Sequence, residues 1–147
     1  MGELVQEGHI RVLDAVDCWQ QAVRIACEPL ERNGYALPSL HRSLIANARY
    51  ASEQGIVSPY VVLPQGAPAE VAVGNGVSVL VSRKPFHVAG SIESVRLLVL
   101  IVAVSAHDHL ELLKRVASVL NDSERLQGIL GAPCAHDVYL EFSGGEQ

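Results

Sequence analysis

The chain has 147 residues and a mass of 15.8 kDa, which is enough for one ordinary domain with a single packed core. Hydrophobic residues make up 49% and charged residues 18%, so burial of apolar surface can offset the entropy lost on folding, which excludes global disorder. The formal net charge of -5 and the scattered Lys and Arg residues argue against direct binding of nucleic acid. We therefore expect one domain, residues 1–147, with a frayed tail at 143–147.

The sequence contains no segment that predicts membrane insertion or export. The longest strongly apolar run, Leu97 to Val104, is far shorter than the roughly 20 residues that span a bilayer. The first seven residues lack the basic start and apolar core of a secretory signal, so the expected compartment is the cytoplasm. Cysteine spacing is neither C-x-x-C nor dense enough for a disulfide scaffold, and reduced thiols are expected at Cys18, Cys27 and Cys134.

Two helices are predicted before any strand. The first is capped by Asp17 and closed by Asn33-Gly34, and Pro29 is expected to kink it or end it early. Its apolar positions follow helical spacing: Trp19, Ala22, Val23, Ala26, Cys27 and Leu30. The second begins after Pro38-Ser39 and stops at Gly55, with an inward face formed by Leu40, Leu44, Ile45 and Ala48.

The middle of the chain predicts strands, and its last third predicts helices. Strands are expected at 60–63, at 76–82 and at 95–104, the last in the middle of the sheet because it has little polar alternation. Asp108 is predicted to cap a third helix, and Asp122-Ser123 to begin a shorter one. The third helix is expected to bury Leu110, Leu113, Val116, Ala117 and Leu120. This order predicts an α/β fold, a three-layer sandwich with a central mixed β-sheet between helices.

Several sequence matches at consistent spacing carry a resemblance to a known family. They are Asp17-Cys-Trp-Gln-Gln-Ala-Val-Arg-Ile-Ala26 with Pro29-Leu30, the Leu44-Ile45 helix, the Pro59 to Pro68 loop, Gly76-Val-Ser78, and His109-Leu-Glu-Leu-Leu113. With these, nearly the whole chain resembles the EIIA domain of the bacterial sugar phosphotransferase system, in its mannitol/fructose superfamily and closest to the ascorbate and galactitol branch. The resemblance implies an HPr-like phosphocarrier and a IIB-like protein as partners, with no cofactor.

The resemblance also implies which residues form the site. In this family a loop of the type Ala-Leu-Pro-His-Ala-Arg-Pro accepts a phosphoryl group from HPr on its histidine and passes it to a IIB cysteine. The corresponding loop here runs from Val62 to Pro68, so Gln65 falls at the acceptor position and Ala67 replaces the usual arginine. Pro64, Gly66 and Ala67 are predicted to line the binding position. His109 corresponds to the family's second, supporting histidine.

The chemistry of Gln65 predicts a carrier that cannot transfer phosphate at this position. Imidazole has a basic ring nitrogen, with a pKa near ~6.5, that can attack phosphorus and later leave. The amide nitrogen of glutamine is delocalised into its carbonyl, so covalent transfer is excluded, although hydrogen bonding is retained. Two origins fit this residue: an engineered replacement of histidine, or natural loss of the acceptor. Loss of the arginine would also remove a contact to phosphate oxygens.

His109 has a second interpretation, as a residue that merely completes the first turns of its helix. In the functional interpretation it lies at a helix N-terminus, where N–H groups and the dipole favour an anion. His107-Asp108-His109 could also bind a metal, but no third spaced ligand is evident, so no metal site is expected. The other histidines are separated in sequence, and surface or hydrogen-bonded core positions are expected for His9, His41, His87 and His136.

Two classes of function remain open after this comparison. The first is an EIIA component of a sugar phosphotransferase system, with transfer disabled at Gln65. The second is a noncatalytic regulatory or interaction module that keeps the EIIA surface and docks on a protein without exchanging phosphate. Gly74-Asn75-Gly76 predicts a tight turn before a strand rather than a phosphate-binding loop. The sequence leaves open a homodimer, the identity of the sugar, and whether this domain belongs to a longer regulator or transporter.

Overall fold

The structure, a computed structural model, describes residues 4–46, 56–58, 60–62, 71–87 and 94–144. A short 3-10 helix, Glu7–His9, precedes the first strand. The strands are β1 (Ile10–Leu13), β2 (Ile56–Ser58), β3 (Tyr60–Val62), β4 (Gly76–Phe86) and β5 (Val95–Val102). The helices are α1 (Trp19–Arg32), α2 (Leu40–Ala46), α3 (Ala106–Leu120), α4 (Ser123–Leu130) and α5 (Ala135–Gly144). None of these helices combines the length and apolar content that crossing a membrane requires.

The strands form one mixed sheet, with the order β1-β4-β5-β3-β2 among the described residues. β1 is parallel to β4 and β3 is parallel to β5, whereas the β4–β5 and β2–β3 pairs are antiparallel. Strand β5 lies in the middle, as its continuous apolar run predicts, because a strand covered on both faces needs no polar alternation. Its register pairs Gly76 with Val102 and Val81 with Leu97.

Helices cover both faces of this sheet, which confirms the predicted three-layer α/β sandwich. Alternate residues of a strand point to opposite faces, so β4 sends Val77 and Val79 to one core and Leu80 to the other. The first core is completed by α3, α4 and α5, with Phe142 fully buried. The second is completed by α1 and α2, with Leu30 fully buried.

Four elements were not predicted from the sequence: the 3-10 helix Glu7–His9, β1, β2 and α5. The expectation that helices precede every strand is therefore wrong, because β1 comes before α1 and pairs with β4 from Ile10↔Val79 to Leu13↔Ser82. The expected frayed tail at 143–147 is also corrected at its start, since Ser143 and Gly144 belong to α5. The predicted end of the second helix, beyond Ala46, lies outside the described residues.

The helix caps differ from two of the predictions. Cys18, not Asp17, is the N-cap of α1, and the Asp17 N–H instead donates to Gln21 Oε1 at 2.6 Å. Pro29 lies within α1, which continues to Arg32. Ser105, not Asp108, caps α3: its Oγ accepts the Asp108 N–H at 3.1 Å. Serine at this place has the extended backbone and side-chain acceptor that an N-cap needs.

The remaining helix signals agree with the structure, except on one face of α3. Asp122 caps α4 by accepting two backbone N–H groups, and Gly34 after α1 has a φ of 84°, which favours glycine. In α3, Val116 and Leu120 are buried as predicted and Leu113 and Ala117 are partly buried. Leu110 was predicted to be buried but is exposed, because it lies one turn after the N-terminus, at the margin of the sheet.

Candidate functional site

Two connections leave the same edge of the sheet and define the candidate site. Strands β3 and β5 are adjacent and parallel, with Val62 paired to Leu98, so their carboxyl ends face the same edge. The chain after β3 contains the predicted acceptor loop, and the chain after β5 leads into α3. Four predicted site residues lie outside the described residues: Pro64, Gln65, Gly66 and Ala67.

The described residues on either side of segment 63–70 are anchored in the fold. Val62 is buried in β3, and Val71, also buried, follows the segment. The Val71 carbonyl accepts the Leu37 N–H at 2.8 Å, and Ala72 forms an antiparallel bridge with Ala36. The residues that directly follow this segment are therefore fixed to the connection between α1 and α2.

His109 lies in the first turns of α3, at the same edge. Its backbone N–H donates to the Ser105 carbonyl at 3.0 Å, which is the first hydrogen bond of the helix to span four residues. The side chain is partly buried and makes no hydrogen bond with the part of the chain that is described here. The helix dipole favours an anion at this end, although Asp108 in the first turn opposes it. Among the described residues, therefore, nothing occupies the hydrogen-bonding nitrogens of the His109 imidazole.

Asn75 links the turn before β4 to the residues between β5 and α3. It was not among the site residues predicted from the sequence. Its side-chain Oδ1 accepts the Val104 N–H at 2.9 Å. Val104 lies between the end of β5 and the Ser105 cap of α3, whereas Asn75 precedes β4. Gly74-Asn75-Gly76 is the turn that the sequence predicts, and this turn carries an additional contact across the site.

The aromatic rings of buried His9 and partly buried Tyr35 pack beneath that turn. A Cβ added to Gly76 would lie 3.0 Å from Tyr35 Cδ1 and 3.0 Å from Leu30 Cδ2, so only glycine fits without a shift of its neighbours. The Tyr35 ring meets the His9 ring edge to face, with centroids 5.3 Å apart. His9 Nε2 is 3.0 Å from Asn33 Nδ2, and burial lowers the pKa of His9, partly offset by a backbone hydrogen bond to Val77. His9 is therefore a hydrogen-bonded core residue.

Four large apolar side chains are exposed on the α1–α2 connection, on the turn before β4 and on either side of the first turn of α3. We call this set the site rim; its members are 45–57% exposed, and they are Leu37, Val73, Val104 and Leu110. Leu37 and Val73 flank the Ala36–Ala72 bridge, and Val104 and Leu110 flank the first turn of α3. Val104 and Leu110 thus present apolar surface beside the first turn of α3, and its burial against a protein partner would be favourable.

Three further titratable groups among the described residues are paired or buried. His41 Nδ1 is 2.8 Å from Glu31 Oε2, and His136 Nδ1 is 2.9 Å from Glu7 Oε1. Burial, followed by the charge of Glu31, raises the pKa of the Cys27 thiol, which keeps it protonated and unreactive. Within the described ranges, no group of three or more His, Cys, Asp or Glu side chains could hold a metal ion.

Sequence comparisons identify relatives along nearly the whole chain. A family model described as "Phosphoenolpyruvate-dependent sugar phosphotransferase system, EIIA 2" matches residues 3–143. SgcA of Escherichia coli (strain K12), which carries the designation of a phosphotransferase IIA component, is 28% identical over 127 residues, covering 86% of this chain and 89% of the relative. The ascorbate-specific EIIA component of Salmonella typhi is 22% identical over 137 residues, covering 92% of this chain and 89% of the relative.

Solved structures show the same fold. The mannitol-specific cryptic enzyme IIA CmtB of Escherichia coli superposes with a TM-score of 0.87 at 20% identity, over 96% of each chain. The mannitol enzyme IIA of Escherichia coli, solved in complex with phosphorylated enzyme IIB, gives a TM-score of 0.80 at 16% identity, over 95% of this chain and 97% of that chain. At these identities the likeness concerns the fold alone.

Proposed function

The chain belongs to the EIIA 2 family of the phosphoenolpyruvate-dependent sugar phosphotransferase system, and on this premise we propose that it is a cytoplasmic EIIA component that docks on HPr-like and IIB-like proteins. The docking surface is the edge where β3 and β5 end. Its sugar is of the class handled by ascorbate- or mannitol-type systems, since relatives of both types match the chain.

One observation carries this proposal: two exposed apolar side chains of the site rim, Val104 and Leu110, flank the first turn of α3, which follows the carboxyl end of β5. A partner that reached His109 would have to cover its neighbours on either side of the first turn of α3, Leu110 and Val104, which are 47% and 48% exposed. Burial of apolar side chains supplies most of the affinity at the centre of protein interfaces. The solved complex of the related mannitol IIA with phosphorylated IIB supports a IIB-like protein as one of the two partners.

Gln65 makes this component unable to carry phosphate at the family's acceptor position. Its amide offers no nucleophilic nitrogen, and Ala67 offers no guanidinium for phosphate oxygens. His109 remains at the N-terminus of α3, where its imidazole can donate to a phosphoryl group held by a partner. Recognition is therefore retained and covalent transfer through residue 65 is lost.

The alternative is a noncatalytic regulatory module, and the paired changes at Gln65 and Ala67 favour it. A module of this kind needs the site rim and not the acceptor, so loss of both phosphate-handling residues would leave its function intact. Under the first proposal, restoring histidine at position 65 should restore phosphoryl acceptance. Under the alternative, the restored protein should remain unlabelled.

Docking is tested with Leu110→Ser and the matched control Leu140→Ser. Both leucines lie on helices and are about half exposed, at 47% and 51%, but only Leu110 belongs to the site rim. With a mannitol- or ascorbate-type IIB domain as the partner, Leu110→Ser should raise the Kd about tenfold, whereas Leu140→Ser should not change it. Equal effects of the two substitutions, or no binding by the unaltered chain, would contradict docking at this edge.

A further inference from the structure

Val104 occupies a point where the backbone passes from strand to helix. The last described pair of β4 and β5 joins Gly76 to Val102, so the Val104 N–H has no partner in the sheet. The Asn75 Oδ1 accepts this N–H at 2.9 Å, across 29 residues of sequence. This hydrogen bond links the turn before β4 to the entrance of α3.

The turn that carries Asn75 is itself held in place. The Tyr35 carbonyl accepts two backbone N–H groups, from Val73 at 2.8 Å and from Gly74 at 2.9 Å. The Tyr35 ring lies under Gly74 and Gly76, and the Tyr35 hydroxyl accepts the Gln6 Nε2–H at 2.8 Å. Because backbone hydrogen bonds and ring contacts fix the conformation of this turn, they also fix the position from which the Asn75 side chain extends.

The hydrogen bond to Asn75 therefore reaches the first turn of α3. Val104 directly precedes Ser105, whose Oγ accepts the Asp108 N–H and whose carbonyl accepts the His109 N–H. In the other direction, residues 71–74 continue from segment 63–70 and are bonded to the connection between α1 and α2. Asn75 stands where these two halves of the site meet.

We propose that Asn75 is a positioning residue, which fixes the first turn of α3, and with it His109, relative to the return of segment 63–70. Its importance for partner binding rests on the proposed function, whereas its effect on His109 is a property of the fold. Asn75 need not touch a substrate, because it acts through the Val104 backbone. Its acceptor oxygen is the required feature, so aspartate should replace it and alanine should not.

The test compares Asn75→Ala with Asn75→Asp in the chain as it stands, with glutamine at position 65. Asn75 is exposed, so neither substitution should lower the Tm by more than about 2 °C. NMR spectra should show the Val104 amide and the His109 imidazole signals displaced in Asn75→Ala. Hydrogen exchange of the Val104 amide should become at least about tenfold faster, because its bond is lost. Asn75→Asp should keep the slow exchange.

The outcomes separate this inference from the proposed function. Unchanged His109 signals in Asn75→Ala, or equally fast Val104 exchange in both variants, would overturn the positioning role. Titration with a mannitol- or ascorbate-type IIB domain then measures the consequence: Asn75→Ala should weaken binding several-fold, and Asn75→Asp should restore it. If the unaltered chain binds neither this domain nor HPr, the proposed function fails, and the NMR comparison alone decides the role of Asn75.

Discussion

The last helix, α5, should contribute a large part of the stability of the domain through Phe142. This side chain has 0% exposure and is among the largest fully buried side chains, packed in the core that α3, α4 and α5 form on one face of the sheet. Truncation of a buried phenylalanine to alanine costs about 3–5 kcal/mol, because the lost transfer free energy is joined by the cost of a cavity. That is a large fraction of the ~5–15 kcal/mol that stabilises a typical domain.

Leu140, two residues earlier on the same helix, provides the matched control. It is 51% exposed, so half of its surface already faces water, and Leu140→Ala should cost about 1 kcal/mol or less. Urea titrations followed by far-UV circular dichroism measure both variants. With an m-value of about 2 kcal/mol/M, Phe142→Ala should lower the midpoint by about 2 M and Leu140→Ala by less than about 0.5 M. Equal shifts for the two variants would refute the packing of α5 described above.

Acidification should destabilise the fold through His9, because burial lowers its pKa below the ordinary 6.5 and the unfolded chain then binds the proton more readily. The free energy of unfolding should therefore fall as the pH drops below about 6.5, as urea midpoints from pH 7.5 to 5 would show. Gly76→Ala should cost about 1–3 kcal/mol in the same titration, since a Cβ would lie 3.0 Å from Leu30 Cδ2 and from Tyr35 Cδ1. Ser105→Ala should cost about 1 kcal/mol of unfolding free energy by removing the cap of α3.

Each of these predictions has its own control. His9→Asn should reduce the loss of stability below pH 6.5, and a slope that persists unchanged would assign it to other groups. His136 acts in the opposite sense. The hydrogen bond that it donates to the Glu7 carboxylate raises its pKa, so its contribution to stability is present below pH 6.5 and fades as the pH rises through the raised value. Gly8→Ala, with nothing within 4 Å, should be nearly neutral beside Gly76→Ala. Ser105→Asp keeps a capping acceptor, and a loss as large as that of Ser105→Ala would contradict the capping role.

The middle of the fold was predictable because its signals are local. Strand β5 follows from a continuous apolar run between Val95 and Val102, and α1 follows from apolar positions at helical spacing. The edge elements were not predictable in this way. Strand β1 has four residues, with Arg11 among them, and its extended form is fixed by pairing with β4. In α5 the exposed Leu140 interrupts the apolar pattern that would have identified the helix.

The residues of the candidate site also differ in whether the sequence pointed to them. His109 was proposed as a site residue from its sequence context, and it lies in the first turns of α3, the helix that follows β5. Asn75 was read only as part of a turn, because glycine on both sides dominates the local signal. Its bond to Val104 exists only once β4 and β5 have paired from Gly76↔Val102 onward. Contacts that form only when strands pair cannot be predicted from the spacing of residues along the chain.

The phosphoryl relay itself provides the most direct test of the account. The chain and its Gln65→His variant would be incubated with phosphoenolpyruvate and the general carrier proteins, enzyme I and HPr, and followed by intact mass and radiolabel. Gln65→Ala would serve as a control without an acceptor. The account predicts one phosphoryl group on Gln65→His and none on the unaltered chain or on Gln65→Ala. Labelling of the unaltered chain would contradict it, and failure to label Gln65→His would favour the noncatalytic module.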